Sequence, residues 1–202
     1  MAANPSVIVI AGPNGAGKTT AAPIVLRDTL GISEFVNADQ IATGLPGFNP
    51  QGAAFGAGRF MLMRLHELAV QRESFAFETT LASRSFAPFI RKLKKRSYKF
   101  HLIFLWLANV ELAKARVASR VAAGGHDIPD EILERRYRRG IENFFGLYQG
   151  LADEWHLYDN SRDFSPRLIA HGKGKRVLRV EAAAAKTWNT IKQNQHAIKK
   201  TR

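Results

Sequence analysis

A run of β-branched residues, Val7 to Ile10, empties without a break into Gly12-Pro13-Asn14-Gly15-Ala16-Gly17-Lys18-Thr19. This is the phosphate-binding loop pattern G-x-x-x-x-G-K-[ST], set after a strand and before a helix, the context the pattern requires. Glycines at 12, 15 and 17 let the backbone turn through conformations a side chain forbids, so its N–H groups converge on a polyphosphate. The helix opening near Lys18 aims the positive end of its dipole at the same anion. The expected nucleotide contacts are therefore Gly12, Pro13, Asn14, Gly15, Ala16, Gly17, Lys18, Thr19 and Thr20. Among them Lys18 reaches the β- and γ-phosphates, and Thr19 places a hydroxyl on Mg²⁺.

A chain of 202 residues suits one α/β domain spanning 1–202, and 46% hydrophobic residues set it apart from disordered sequences. The absence of cysteine excludes disulfides, Cys-ligated metals and thiol catalysis. No basic region precedes the first apolar run, which argues against a signal peptide. Leu102 to Ala108 is far shorter than the ~20 residues of a membrane helix. A cytoplasmic protein with no membrane partner is expected. The formal charge of +13 attracts polyanions, nucleic acids and nucleotides alike.

After the loop, residues 18–30 read as a helix stopped by Gly31, and Glu34 to Asn37 as a short strand. Asp39 follows that strand, at the crevice end of an open sheet, where it faces the γ-phosphate or caps the next helix. Residues 44–56, rich in Gly and Pro, read as an exposed connection. From Ala57 to Arg72 helical spacing returns, with Met61, Leu62, Leu65, Leu68 and Ala69 on one face. Phe60, Met63 and Val70 fall outside that stripe, which predicts a helix covered on more than one side.

Ser74 to Leu81 begins as a strand and ends in Glu78-Thr79-Thr80, a carboxylate and two hydroxyls suited to a hydroxylated acceptor or to a helix start. A helix over 83–95 follows, with the basic run 91–96 as its solvated end. Phe100 to Leu107 is apolar enough to be buried on both sheet faces, and it ends in Ala108-Asn109. The Walker B carboxylate expected on that strand is thus missing, leaving Mg²⁺ to Thr19, phosphates, water and, as a further candidate, Asp39.

Residues 110–122 form a helix in which Arg116 and Arg120 share a face. A Gly124-Gly125 break and a second helix from Asp130 holding Arg135, Arg136, Arg138 and Arg139 complete a candidate lid, about 111–140. Arginine suits phosphate because its charge is permanent and its fork bidentate. Phe144 to Trp155 continues helical, Trp155 to Tyr158 is a last central strand, and Asp159-Asn160-Ser161 is a polar turn where adenine can lie. Leu168–His171 and Val177–Val180 flank a hairpin turn. A terminal helix runs from Glu181 to about 197, so the hairpin and helix together occupy about 167–198.

Gly-Pro-Asn-Gly-Ala-Gly-Lys-Thr-Thr, Val-Asn-Ala-Asp, Phe-Glu-Thr-Thr-Leu, Arg-Val-Ala-Ala-Gly-Gly-His-Asp-Ile-Pro, Glu-Arg-Arg-Tyr and Leu-Tyr-Asp-Asn-Ser, in that order, resemble the zeta toxin family, its short members in particular. The resemblance runs from Val7 to about Ala170. It implies a P-loop kinase-like parallel sheet with helices on both faces, a helical lid and a C-terminal hairpin plus helix. It also implies ATP and Mg²⁺ as cofactors and phosphorylation of UDP-N-acetylglucosamine at a sugar hydroxyl. By the same resemblance Lys18 stabilises the transferring phosphoryl, Thr19 holds Mg²⁺ and Asp39 accepts the acceptor's proton. Glu78 and Thr79, with Thr80 beside them, contact the sugar nucleotide, while Arg120, Arg136 and Arg139 neutralise transition-state charge, and Asn160 lies at the nucleotide. The resemblance makes an antitoxin protein a candidate partner, although no residue here demands one.

The residues leave other functions open. One is a P-loop kinase of a different hydroxylated small molecule or of a polynucleotide end. Another is an ATP-switched nucleic-acid-binding protein, motivated by the charge; the basic run 91–96 holds no aromatic residue and 135–139 only Tyr137, so a stacking platform is poorly supported.

Overall fold

The computed structural model describes residues 4–23, 32–43, 50–125, 127–162 and 165–200. Seven strands form one sheet in the order β2-β3-β1-β4-β5-β6-β7. Strands β1 (Ser6–Ala11), β2 (Glu34–Val36), β3 (Phe75–Thr79), β4 (Lys99–Trp106) and β5 (Glu154–Asp159) run parallel. The hairpin β6 (Arg167–Lys173) and β7 (Arg176–Val180) extends the sheet antiparallel, turning at Gly174, whose φ of 51° suits a residue without a side chain.

Parallel strands must be covered on both faces, and the alternation along β1 shows how. Val7, Val9 and Ala11 join the larger apolar cluster, which receives α3 (Pro50–Gln71), α4 (Phe86–Lys95) and the end of α6 (Asp130–Asn143). Ile8 and Ile10 point the other way, against Ala22 of α1 (Lys18–Pro23) and Ala113 of α5 (Val110–Ala122). The expected arrangement of helices on both faces is thus present. A helix α2 (Ala38–Thr43) follows β2, and α8 (Ala185–Lys200) closes the chain behind a short 3₁₀ turn.

Three expectations need correction. Residues 50–56 do not belong to an exposed connection but open α3, where Pro50 sits at the helix start and lacks only an N–H that has no partner there; residues 44–49 lie outside the described residues. Phe60, Met63 and Val70 are exposed rather than covered, with Val70 at 72%. The helical stretch after Phe144 passes through a π turn and α7 (Gln149–Leu151) and ends there, so that β5 begins at Glu154. Strand β3 is β1's other neighbour and delivers Glu78 beside the loop. Of the first helix only residues 18–23 fall among those described.

Helix α6 is pinned at its root. Asn143 Nδ2 donates to the Leu81 carbonyl at 2.9 Å and the Tyr137 hydroxyl to Leu107 at 2.7 Å. Burial pushes the Tyr137 hydroxyl up to about 12, so it remains a donor at any physiological pH. At the other end Lys114 of α5 meets Asp130 and Glu134 of α6 at 3.1 and 2.8 Å, with Glu111 at 3.8 Å. These carboxylates raise the Lys114 ammonium well above its ordinary value.

Candidate active site

The loop between β1 and α1 is shaped by three glycines with positive φ, at 12, 15 and 17. Gly12 and Gly15 are also sterically required: a Cβ would lie 2.3 Å from the Leu105 carbonyl oxygen at the first and 2.9 Å from that of Ala113 at the second. The strands and helix beside the loop therefore leave no room for a side chain where its backbone turns.

Beneath the loop, Asn160 is 1% exposed and its Nδ2 donates to the Ala16 carbonyl at 2.8 Å. Arg116 donates to the carbonyls of Gly15, Asn160 and Ser161 at 3.3, 2.8 and 3.2 Å. Both residues hold the loop's main chain. Asn160 is thus placed as a brace under the nucleotide stretch. Asn109, at the strand end where an aspartate was sought, caps α5 by accepting from Leu112 N.

Lys18 is buried, with its Nζ donating to the Pro13 carbonyl at 3.0 Å and 3.6 Å from Glu78 Oε1. Burial lowers its affinity for a proton, against the opposing pull of Glu78 and Asp39. Thr19 Oγ1 donates to Glu78 Oε2 at 2.9 Å. A hydroxyl and a carboxylate oxygen so close together form a hard, two-oxygen donor set. It fits Mg²⁺, which keeps water and phosphate oxygens for its other positions. Among the described residues no group of three or more His, Cys, Asp or Glu side chains is arranged to hold a metal alone.

Two clefts open on this point. The smaller, about 390 Å³, is lined by Gly15, Gly17, Thr19, Thr20, Arg116 and Arg120. The larger, about 650 Å³, is lined by Thr79, Thr80, Ser83, Phe86, Arg136 and Arg139, with Met61, Leu62 and Arg59 of α3. Asn14, Lys18, Asp39 and Glu78 border both. Arg120 thus stands on the loop side and Arg136 and Arg139 on the opposite side. Arg136 comes within 3.5 Å of Asn14 Oδ1, and burial lowers its pKa while Asp39 works against that shift.

Asp39 does not cap α2. That task falls to Asn37, whose Oδ1 accepts from Asp39 N at 2.8 Å, so the Asp39 carboxylate is left on the wall of both clefts. Thr79 spends its hydroxyl as acceptor for Leu81 N, and the Thr79 carbonyl accepts from Gly12 N. Leu81 itself is buried in the left-handed region at φ 59°, a conformation costly for a branched side chain and concentrated at functional turns.

A family model described as Zeta toxin matches residues 1–163. An uncharacterized protein of Haemophilus influenzae is 32% identical over 130 residues, covering 64% of this chain and 91% of that protein. Among solved structures, a chain of the AvrRxo1-ORF1:-ORF2 complex with ATP superposes with a TM-score of 0.72 at 18% identity, over 95% of this chain and 64% of that one. A chain of the PezAT chromosomal toxin-antitoxin system of Streptococcus pneumoniae gives 0.68 at 16% identity, over 96% and 86%. At such identities these likenesses are of fold, and this chain spans less than two thirds of the AvrRxo1 chain it matches.

Proposed function

The chain belongs to the zeta toxin family, and from that membership we propose that it is an ATP-dependent P-loop kinase that phosphorylates a sugar hydroxyl of UDP-N-acetylglucosamine. The observation that carries this reading is the pair of clefts sharing Asn14, Lys18, Asp39 and Glu78. A transferase for phosphoryl groups needs a donor site and an acceptor site that meet where the group moves, with positive charge on both sides and a base at the junction.

The smaller cleft holds ATP, its triphosphate on the loop amides and Lys18. The acceptor enters the larger cleft, where Glu78, Thr79 and Thr80 face its hydroxyls and Arg136 and Arg139 its diphosphate and the transferring group. Asp39 takes the proton from the attacking hydroxyl as the new O–P bond forms at the γ-phosphorus, and the bond to the β-phosphate oxygen breaks to release ADP. Lys18 and Arg120 neutralise the charge that develops. Thr19 and Glu78 would hold Mg²⁺, which supplies further neutralisation of phosphate charge when bound. Residues 1–202 act as one kinase domain with its lid at about 111–140. The cytoplasm, where both substrates are made, is its place of action, and an antitoxin is its candidate protein partner. Among the described residues no helix is long and apolar enough to cross a membrane.

The test is a transfer assay with γ-labelled ATP and Mg²⁺ against nucleotide sugars, small sugar acids and 5′-hydroxyl polynucleotides. Label on UDP-N-acetylglucosamine, with stoichiometric ADP, supports the reading. Label only on another acceptor overturns the substrate and keeps the kinase; no transfer to any of them overturns both.

A further inference from the structure

Asn37 joins the three elements on which the proposed transfer depends. It lies at the end of β2, 4% exposed, and both ends of its amide are used. Oδ1 accepts from the backbone N–H groups of Asp39 and Gln40 at 2.8 and 3.4 Å, which starts α2. Nδ2 donates to Glu78 Oε2 on β3 at 2.8 Å and approaches Thr19 Oγ1 on α1 at 3.5 Å. The orientation of the amide is dictated by its partners: reversed, it would set an NH₂ against backbone N–H groups and an oxygen against a carboxylate.

We propose that Asn37 is a positioning residue for phosphoryl transfer, holding the helix that carries Asp39 in fixed register with Glu78 and Thr19. This inference rests on the kinase reading given above. A primary amide is the group that meets both demands from this position. An aspartate caps a helix equally well but presents an anion to Glu78, and a serine caps but brings no NH₂ to the carboxylate. Glu78 then keeps Thr19 but loses the donor that ties it to β2, and the distance from the Asp39 carboxylate to the transferring group loses its reference. Misplacement of a reacting group by about 1 Å costs on the order of 100-fold, and loss of a partner that orients a metal-side ligand costs about 10–100-fold.

Asn37→Asp and Asn37→Ser separate the two functions of the side chain, because each keeps a cap acceptor and removes the amide NH₂ that reaches Glu78. The expected result is a kcat lowered about 10–100-fold in both, with KM for ATP within about threefold of the parent; thermal stability is kept in Asn37→Ser and falls in Asn37→Asp, whose carboxylate faces that of Glu78. Hydrogen exchange at the Asp39 and Gln40 amides stays slow in both variants and becomes fast in Asn37→Leu, which reads the cap without any turnover. An active parent whose Asp and Ser variants keep kcat within about threefold overturns the inference alone. A kcat loss in Asn37→Ser that is matched by a loss of thermal stability reduces Asn37 to a folding residue and overturns it too. A parent that phosphorylates no acceptor overturns the kinase reading and this inference with it.

Discussion

Gly140 of α6 lies against the carbonyl of Thr80, so closely that a Cβ there would sit 2.7 Å from the oxygen. Helix α6 and the end of β3 that lines the larger cleft therefore meet at a main-chain contact with no room for a side chain. Gly140→Ala must push α6 off Thr80, at a cost of about 1–3 kcal/mol for overpacking. The expected outcome is a lower thermal midpoint together with a raised KM for the acceptor, read by calorimetry and steady-state kinetics.

With Asp39 as the proposed base, its removal is expected to separate binding from chemistry. Asp39→Asn is close in shape and is expected to bind ATP as the parent does while kcat falls about 10²–10⁴-fold, the usual worth of a general base. Titration with a fluorescent ATP analogue alongside the transfer assay checks both halves.

Asn160 acts on the loop from below. Asn160→Leu strands the Ala16 carbonyl beneath the loop and is expected to cost about 1–3 kcal/mol in denaturant unfolding. Because the loop it supports carries the amides of the nucleotide site, KM for ATP rises as well. Arg116→Lys, which cannot span the carbonyls of Gly15, Asn160 and Ser161 with one rigid fork, raises the same constant.

Much of this site is written locally. The loop, its lysine and its threonine lie within a few residues of one another, and Asp39 announces itself by following a strand. What local reading misses is adjacency. Glu78 meets Thr19 and Lys18 only because β3, and not β2, lies beside β1, and strand order is not a property of any one segment. Asn37 reads as an ordinary residue before a helix until Glu78 is placed next to it. The stretch 50–56 misled through composition: its glycines disfavour a helix by about 1 kcal/mol each, yet Met61, Leu65, Leu68 and Ala69 anchor the same helix in the core.

Acid sensitivity is expected at a site remote from the loop. His156 on β5 is half-buried beside Glu154, Tyr158, His101 and His171, and burial holds its pKa below the ordinary 6.5, with Glu154 opposing and the two histidines assisting. As pH falls below 6.5 the unfolded chain takes up this proton before the folded one. Stability present above that pH is therefore lost progressively down to the folded value and is level below it. Urea unfolding from about pH 5 to 7.5 should show this slope in the parent and a shallower one in His156→Gln.

The ion pairs around Lys114 have a mechanical consequence. One ammonium bolts α5 to α6 across the break between them, and both helices carry arginines that face the loop from opposite sides. In the proposed kinase, Arg120 on the smaller cleft and Arg136 and Arg139 on the larger would therefore keep one fixed spacing across the junction at which the two clefts meet.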